Sequence, residues 1–257
     1  MKIYQKNILV NFLLSHNQRV DDDFSCNNKI FELIMSEKAF NAITEDQFSN
    51  SETVIQFLTR SMSCFYEENN KDFNESDKLN EMLEKKDYLI DSDLENHQIW
   101  SNVLEMISNF TKWLTNFAKK CPGFHEFDFD DLSLLVASAA LFLYGIRFRR
   151  QIINNEFFII SGKSNILVSR KRMSSFSNET LNDLSFLFFK KLNELELTDF
   201  EIAVFFPVIL LSCDANLVKD KNYLIDLRSC YVKTLLNQFR INKRDESFSR
   251  KLNTVSI

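Results

Sequence analysis

The sequence predicts an all-α domain, and three observations support this fold class. Glycine and proline are scarce, with 3 and 2 copies in 257 residues, whereas β-sandwiches, barrels and doubly wound sheets need many tight turns. Apolar residues recur at three-and-four spacing between positions 100 and 118, as on one face of a helix. Residues 134–144, LLVASAALFLY, are apolar almost all round, which is typical of a helix in the middle of a domain.

Composition narrows the class of protein further. A hydrophobic fraction of 45% allows a sizeable core in one large domain, or in a domain with a tail. The net charge of −5 and the pI near 5.4 disfavour a nucleic-acid-binding domain, which usually carries a concentrated basic patch. The basic clusters at 147–150, 170–172 and 243–244 are short. No apolar run reaches the ~18 residues of a membrane span, so we expect no membrane contact.

The chemistry of enzymes and metal sites is missing from the sequence. The five cysteines are scattered without zinc-finger spacing, which indicates reduced thiols. The three glycines are isolated, so they form no phosphate-binding loop, and the three histidines are not spaced to share a metal. Asp128, Asp130 and Asp131 could form a carboxylate cluster, but helix capping is the simpler interpretation. We therefore expect no enzyme, no metal and no cofactor.

The first half of the chain predicts three helices and a linker. Residues 1–48 are weakly patterned and resemble a linker or hinge, with a short helix over 28–36. A capping box at Ser49 and Glu52 opens a helix that ends near Glu68. Residues 69–91 predict a charged loop around a short helix at 76–85.

The best helical pattern runs from a capping box at Ser92 and Glu95 to the stop at Pro122–Gly123. Met106 and Trp113 lie off its main apolar stripe, so we expect this helix to be central and sandwiched between neighbours. Its stripe consists of Trp100, Val103, Leu104, Ile107, Phe110, Leu114, Phe117 and Ala118.

The second half continues with helices and one small hairpin. Asp130–Asp131 can cap a helix over 132–151. A β-hairpin is predicted from residues 157–160 and 166–168. Helices are predicted over 179–194 and 224–242, and another amphipathic helix is predicted to start at 248–252. A further helix is predicted from the capping box Thr198–Glu201 to Ser212, with a kink at Pro207.

Several segments resemble nuclear hormone receptor ligand-binding domains. Residues 117–124, FAKKCPGF, followed by Asp131 and Leu135, resemble the signature of that family. Trp100 and residues 61–67 are similar to the third and first helices of the retinoid-related orphan receptors and their invertebrate relatives, with reverse-orientation (Rev-Erb-like) receptors next. Residues 191–198, 201–203 and 211–214 resemble the family's seventh and eighth helices. Residues 161–163 lie where the family has its β-turn.

The resemblance implies a three-layer antiparallel α-helical sandwich around a lipophilic pocket. The implied ligand is lipophilic or sterol-like, with arginines orienting its polar head. Alternatively, the pocket is filled, because Leu104 and Phe110 are bulkier than the alanine usual there. A haem-sensing domain is a further alternative, although haem is not expected. The implied pocket residues are Trp100, Leu104, Ile107, Phe110, Leu141, Tyr144, Arg147, Phe148, Arg150 and Ile160.

The resemblance also implies a surface groove for coregulator peptides, at Lys119, Leu135 and Val136. It further implies that the protein acts in the nucleus. Lys119 matches the lysine that caps a Leu-x-x-Leu-Leu helix of a coactivator or corepressor. DNA would be bound only through a zinc-finger domain absent from this chain. The sequence departs from the family pattern at Leu132, Ala137, Phe142 and Pro207.

The implied domain covers residues 49–257, truncated before the family's last helices and lacking the activation helix. Corepressor binding, or no binding, is then favoured over activation. An all-α protein-interaction scaffold without ligand is the remaining alternative.

Overall fold

The computed structural model describes residues 52–69, 84–85, 89–90, 94–153, 156–160, 165–175 and 179–255. Several predictions lie outside these described residues: the linker with its helix at 28–36, the capping residues Ser49 and Ser92, nearly all of the 76–85 helix, and the hairpin turn at 161–163.

Helices dominate the described part of the chain. The α-helices are α1 (Glu52–Asn69), α2 (Asn96–Lys120), α3 (Phe129–Phe148), α4 (Arg170–Met173), α5 (Glu179–Glu194), α6 (Asp199–Leu210), α7 (Lys221–Ile241) and α8 (Glu246–Val255). Short 3-10 turns lie at Phe124–Glu126, Arg149–Gln151 and Ala215–Leu217. The predicted all-α class is therefore confirmed.

The long helices form three layers. Helices α1 and α2 pack on each other and make one outer layer, while α5 and α8 pack together and make the other. Between them lie α3, α6 and α7: α6 packs against both α3 and α7, α2 packs on α3, and α1 packs on α6 and α7. This arrangement confirms the predicted helical sandwich.

The central layer is apolar because its helices have neighbours on several sides. Every residue from Glu201 to Leu210 of α6 is buried. In α3 the apolar run predicted to be central is buried at most described positions, as expected. Among the described residues, no single helix is long and apolar enough to cross a membrane. The two segments of α3, bent by 55° around position 141, reach that length and hydropathy only when taken together, and buried core helices reach them too.

The predicted central position of the 92–121 helix is wrong. Helix α2 lies in an outer layer and packs on α1 and α3. Its apolar stripe is buried only over the second half of the helix, from Phe110 to Ala118. Polar residues on the opposite side are exposed at both ends and in the middle of the helix, because no helix among the described residues covers them. The exposed residues include His97, Ser101, Ser108, Lys112, Asn116 and Lys119.

Two helix starts show how local sequence sets the boundaries. Helix α6 begins with the predicted capping box: the Thr198 N–H donates to the Glu201 carboxylate at 2.8 Å, and the Glu201 N–H donates to the Thr198 hydroxyl at 3.3 Å. Helix α3 begins earlier than predicted, because Asp128 is its cap and accepts from the Asp131 N–H at 2.9 Å. Asp130 and Asp131 lie in the first turn. Capping therefore accounts for this acidic cluster.

The second half follows the predicted pattern closely. Helix α5 has the predicted bounds, and α6 runs through Pro207 and ends at Leu210, two residues before the predicted end at Ser212. The predicted kink at Pro207 stays a prediction. Helix α7 is followed by α8, which packs against it through Phe239 and Phe248, with ring centroids 4.9 Å apart. The expectation that later helices are missing also stays a prediction.

The small sheet contains the predicted hairpin and two further strands. Strands β3 (Phe157–Ile160) and β4 (Ile166–Ser169) pair antiparallel, with Ile160 opposite Ile166. Strand β1 (Leu89–Ile90) pairs parallel to β4, and β2 (Ile152–Ile153) pairs antiparallel to β3. The two edge strands have only two residues each, too few for a period-2 pattern to reveal them in the sequence.

Candidate functional site

Aromatic side chains from α2 and α3 meet where the resemblance places the ligand pocket. Phe110 of α2 lies edge-on to Tyr144 and Phe148 of α3, at 5.5 and 5.9 Å between ring centroids. Tyr144 and Phe148 are 4.6 Å apart, and Trp113 stacks on Phe110 at 5.6 Å. Edge-to-face and offset geometries of this kind are favourable for aromatic rings. We call this group, together with Met106 and Arg147, the aromatic cluster.

Arg147 is the charged member of the aromatic cluster. Its guanidinium carbon lies 4.4 Å from the Trp113 ring centroid and 5.6 Å from that of Phe148. A cation over an aromatic face is attracted by the ring's quadrupole. The side chain is half-buried. Arg147 therefore contacts two aromatic rings of the cluster. The family resemblance implies that this arginine would orient a ligand.

Met106 closes the cluster on the α2 side. The Tyr144 hydroxyl donates to the Met106 sulfur at 2.9 Å, and both side chains are buried. The sequence showed Met106 and Trp113 lying off the main stripe of this helix, but gave no reason to assign them to the site. Their spacing from Phe110, four residues before and three after, is the signal that places all three on one helix face.

The predicted pocket residues are only partly brought together. Phe110, Tyr144 and Phe148 are buried in the aromatic cluster, with Arg147 beside them. Leu104 and Ile107 are half-buried on α2. Trp100 is 39% exposed in the second turn of α2, so it lies at the surface of the described part of the chain, and its place in a pocket stays a prediction. The side chains of Leu141, Arg150 and Ile160 lie outside the described residues.

Buried polar groups lie next to the cluster, at the end of α3. Arg149 is buried and donates to the Ile146 carbonyl at 2.8 Å. The Arg149 carbonyl accepts from the Asn193 side chain at 3.0 Å, which ties this end of α3 to α5. Gln151 is buried, and its side-chain oxygen has no hydrogen-bond partner among the described residues. Sequence reasoning missed Arg149 and Gln151, because polar residues at a helix end usually face solvent.

The predicted coregulator groove is only partly at the surface. Lys119 is exposed in the last turn of α2, where a cation is available to a docked helix. Leu135 and Val136 are buried in the core, so in this structure neither presents area to a peptide. The half-buried residues of the same α3 segment are Leu134 and Ala137. This burial follows from the central position of α3, and the groove itself stays a prediction.

The turn after α2 is held by two tyrosines of α7. The Tyr231 hydroxyl donates to the Pro122 carbonyl at 2.9 Å, and the Tyr223 hydroxyl donates to the Gly123 carbonyl at 2.7 Å. Gly123 has φ +84°, and a Cβ added there would lie 2.4 Å from Leu227. A glycine is therefore required, both for the backbone conformation and for the close approach of α7.

A largely buried ion pair joins the start of α6 to the segment between α7 and α8. Arg244 donates to both carboxylate oxygens of Glu201 at 2.7 and 2.6 Å, and the Asn242 side chain donates to the same group at 2.9 Å. Burial alone would raise the pKa of Glu201, but the hydrogen bonds from Arg244, Asn242 and Thr198 outweigh it and lower the pKa. We call Thr198, Glu201, Asn242 and Arg244 the Glu201 lock.

Metal chemistry finds no support in the part of the chain that the structure describes. No group of three or more His, Cys, Asp or Glu residues there could hold a metal ion.

Comparison with known proteins supports the resemblance seen in the sequence. No family model matches the chain. Nuclear receptor subfamily 1 group D member 2 of Rattus norvegicus is 26% identical over 160 residues, covering 62% of this chain and 27% of that protein. Nuclear receptor ROR-alpha B of Danio rerio is 27% identical over 172 residues, covering 64% of this chain and 35% of that protein.

Since the matches span about a third of each relative, or less, they concern one region of a longer receptor. Together with the helical sandwich, they confirm that this chain resembles a nuclear receptor ligand-binding domain near the retinoid-related orphan and reverse-orientation subgroups.

Proposed function

We propose that this chain contains a divergent nuclear receptor ligand-binding-type domain that regulates transcription in the nucleus by binding coregulator helices. The observation that supports this most strongly is the similarity to two nuclear receptors, in a chain that folds as a three-layer helical sandwich. The mechanism would be allosteric: the packing between α2 and α3 sets the position of the last turn of α2, and that turn carries Lys119.

The proposed coregulator surface is centred on the exposed Lys119 and includes the half-buried Leu134 and Ala137 of α3. A bound helix would direct its C-terminal carbonyls at the Lys119 ammonium group, where the helix dipole favours a cation. Such an interaction contributes up to roughly 1–2 kcal/mol. That corresponds to about a tenfold change in affinity.

Peptide binding tests the surface directly. A fluorescent Leu-x-x-Leu-Leu peptide is titrated with the wild-type chain, with Lys119→Ala and with Lys190→Ala, which removes an exposed lysine from α5 in the opposite outer layer. We expect Lys119→Ala to weaken binding about tenfold and Lys190→Ala to leave it unchanged. Equal affinities for all three proteins would exclude Lys119 from the surface.

For the interior, we propose that the aromatic cluster occupies the position of a ligand. Phe110, Tyr144 and Phe148 are buried and in ring contact, and Arg147 is engaged with two rings. A domain filled in this way would keep its arrangement without a lipophilic ligand. The bulk of Phe110, at a position where the family usually has alanine, favours this alternative over an open pocket.

An engineered cavity tests this proposal. An environment-sensitive fluorescent fatty acid is added to the wild-type chain, to Phe110→Ala, and to Phe248→Ala as a control buried between α7 and α8. Removing the Phe110 ring leaves an apolar space that a ligand can enter. We expect only Phe110→Ala to bind the probe. Stoichiometric binding by the wild-type chain would show that the pocket is open.

A further inference from the structure

We infer that Cys64 and Cys121 are a redox pair whose disulfide would tie α1 to the turn after α2. The Cys64 thiol donates to the Lys120 carbonyl at 3.2 Å. Lys120 directly precedes Cys121 in the chain, so this contact places the Cys64 sulfur beside the peptide bond that leads into Cys121. Both residues are buried, and both are reduced in the structure. Two buried thiols from separate helical segments therefore lie near each other, since the Cys64 sulfur contacts the residue that precedes Cys121.

The backbone geometry favours a bridge between them. The Lys120 carbonyl belongs to the peptide bond that leads into Cys121, so its contact with the Cys64 sulfur brings α1 close to the Cys121 backbone. Natural disulfides join Cα atoms roughly 4.4–6.8 Å apart. Cys121 follows the last residue of α2 and caps it, its N–H donating to the Phe117 carbonyl at 3.2 Å.

The surroundings make this pair slow to react while the fold is closed. Burial, followed by the neighbouring Cys64, raises the pKa of Cys121 well above its usual value. The thiolate is the reactive form, so a buried thiol with a raised pKa is protected at neutral pH. Oxidation then depends on a local opening in which α1 moves away from the turn. The rate of oxidation of Cys64 and Cys121 would therefore depend both on the oxidant concentration and on how often α1 opens.

The chemistry needs a two-electron oxidant, for which we name a hydroperoxide such as hydrogen peroxide. One cysteine, as thiolate, attacks a peroxide oxygen; the O–O bond breaks, water is released after protonation, and a sulfenic acid forms. The second thiol attacks that sulfur; the S–S bond forms, the S–O bond breaks, and a second water leaves. Two thiols lose two electrons and two protons in total, and one peroxide becomes two waters.

The consequence would be a covalent link between two elements of one outer layer. The bridge would close a loop between positions 64 and 121, and a disulfide over a loop of this length stabilises chiefly by restricting the unfolded chain. We expect oxidation to raise the Tm by roughly 5–12 °C, given typical disulfide effects in a domain of this size. Oxidation would also suppress the opening of α1.

Peptide mapping of the full chain tests the inference. The protein is treated with hydrogen peroxide, remaining thiols are alkylated, and non-reducing proteolysis is followed by mass spectrometry. We expect one cross-linked peptide pair that contains Cys64 and Cys121 and that forms faster in mild urea and at higher pH. We expect the higher Tm in the same sample, with reversal by dithiothreitol.

Matched variants separate the pair from other cysteines. Cys64→Ser should abolish both the cross-link and the rise in Tm, whereas Cys213→Ser and Cys230→Ser should keep them. The inference fails if peroxide-treated wild-type protein carries alkyl groups on both Cys64 and Cys121. It also fails if the cross-link joins either residue to Cys26, Cys213 or Cys230, or if the 64–121 bridge forms and the Tm falls.

Discussion

The Glu201 lock and the aromatic cluster stabilise two sides of the same sandwich by different physics. The lock is a directional arrangement: one buried carboxylate accepts from an arginine, an asparagine and a backbone N–H at 2.6–2.9 Å. The cluster is held by ring contacts at 4.6–5.9 Å between centroids and by one arginine above an indole. Directional bonds tolerate little change, whereas ring contacts tolerate several arrangements of similar energy. We therefore expect α6 and α7 to form a fixed frame and the packing of α2 on α3 to be the more adjustable interface.

Removing the carboxylate of the lock should have the largest effect. Glu201→Ala leaves the largely buried guanidinium of Arg244 without its main partner. Breaking a buried pair in this way costs about 3–5 kcal/mol of the free energy of unfolding. Urea denaturation measures the loss. Glu246→Ala is the matched control, because its pair with Arg250 is exposed and should contribute less than about 1 kcal/mol. Equal losses in the two variants would mean that the lock stabilises no more than a surface pair.

Acid should weaken the lock before it affects the aromatic cluster. The pKa of Glu201 is lowered in the folded state, so its contribution is fully present above the unfolded pKa and is lost as pH falls through the folded pKa. We therefore expect stability to fall below about pH 4.5. Glu201→Gln should show a shallower decline in urea titrations from pH 5 to pH 2.5. The pKa of Asp128 is also lowered, first by the hydrogen bond from the Asp131 N–H and then by Lys219, and because this pair is exposed, high salt should reduce only the part that comes from Lys219. A variant with an unchanged acid slope would contradict this assignment.

The two regions also differ in how far the sequence could predict them. The capping box Thr198–Glu201 is a local pattern, and it was read correctly. Its partner Arg244 lies 43 positions later in the chain, and no local signal connects the two. The family resemblance named Phe110, Tyr144, Arg147 and Phe148 as neighbours, and the structure brings them together. Met106 and Trp113 required knowledge of which face of α2 meets α3.

Layer position was the least predictable feature. The stripe on α2 suggested a central helix, but the exposed residues opposite the stripe place it in an outer layer. A wide apolar stripe shows how much of a helix is buried and says nothing about how many layers lie beyond it. In α3 periodicity predicted a central helix, and the burial of Leu135 and Val136 agrees with that prediction; their place in a coregulator groove was implied by the family resemblance alone. Periodicity identifies which residues share a face, while the direction of that face depends on tertiary packing.

A smaller effect is expected for the charged member of the aromatic cluster. Arg147→Met keeps most of the aliphatic length and removes the cation above Trp113. The loss should be roughly 0.5–2 kcal/mol, as is usual for a cation–π contact of intermediate burial. Urea unfolding with and without Trp113→Leu completes a double-mutant cycle that isolates the contact. A coupling energy of zero would mean that Arg147 is held by its other neighbours and not by the indole.

The smallest change should come from the hydroxyl that joins α3 to Met106. Tyr144→Phe keeps the ring packed against Phe110 and Phe148 and removes the O–H···S contact of 2.9 Å. The loss should stay below about 1 kcal/mol, because sulfur is a weak acceptor and no buried donor is left unpaired. If α2 against α3 is the adjustable interface, Tyr144→Phe should also speed amide hydrogen exchange in the middle of α2 while leaving α6 unchanged. Equal acceleration in both helices would place the two regions in one cooperative unit, and the distinction between frame and adjustable interface would no longer hold.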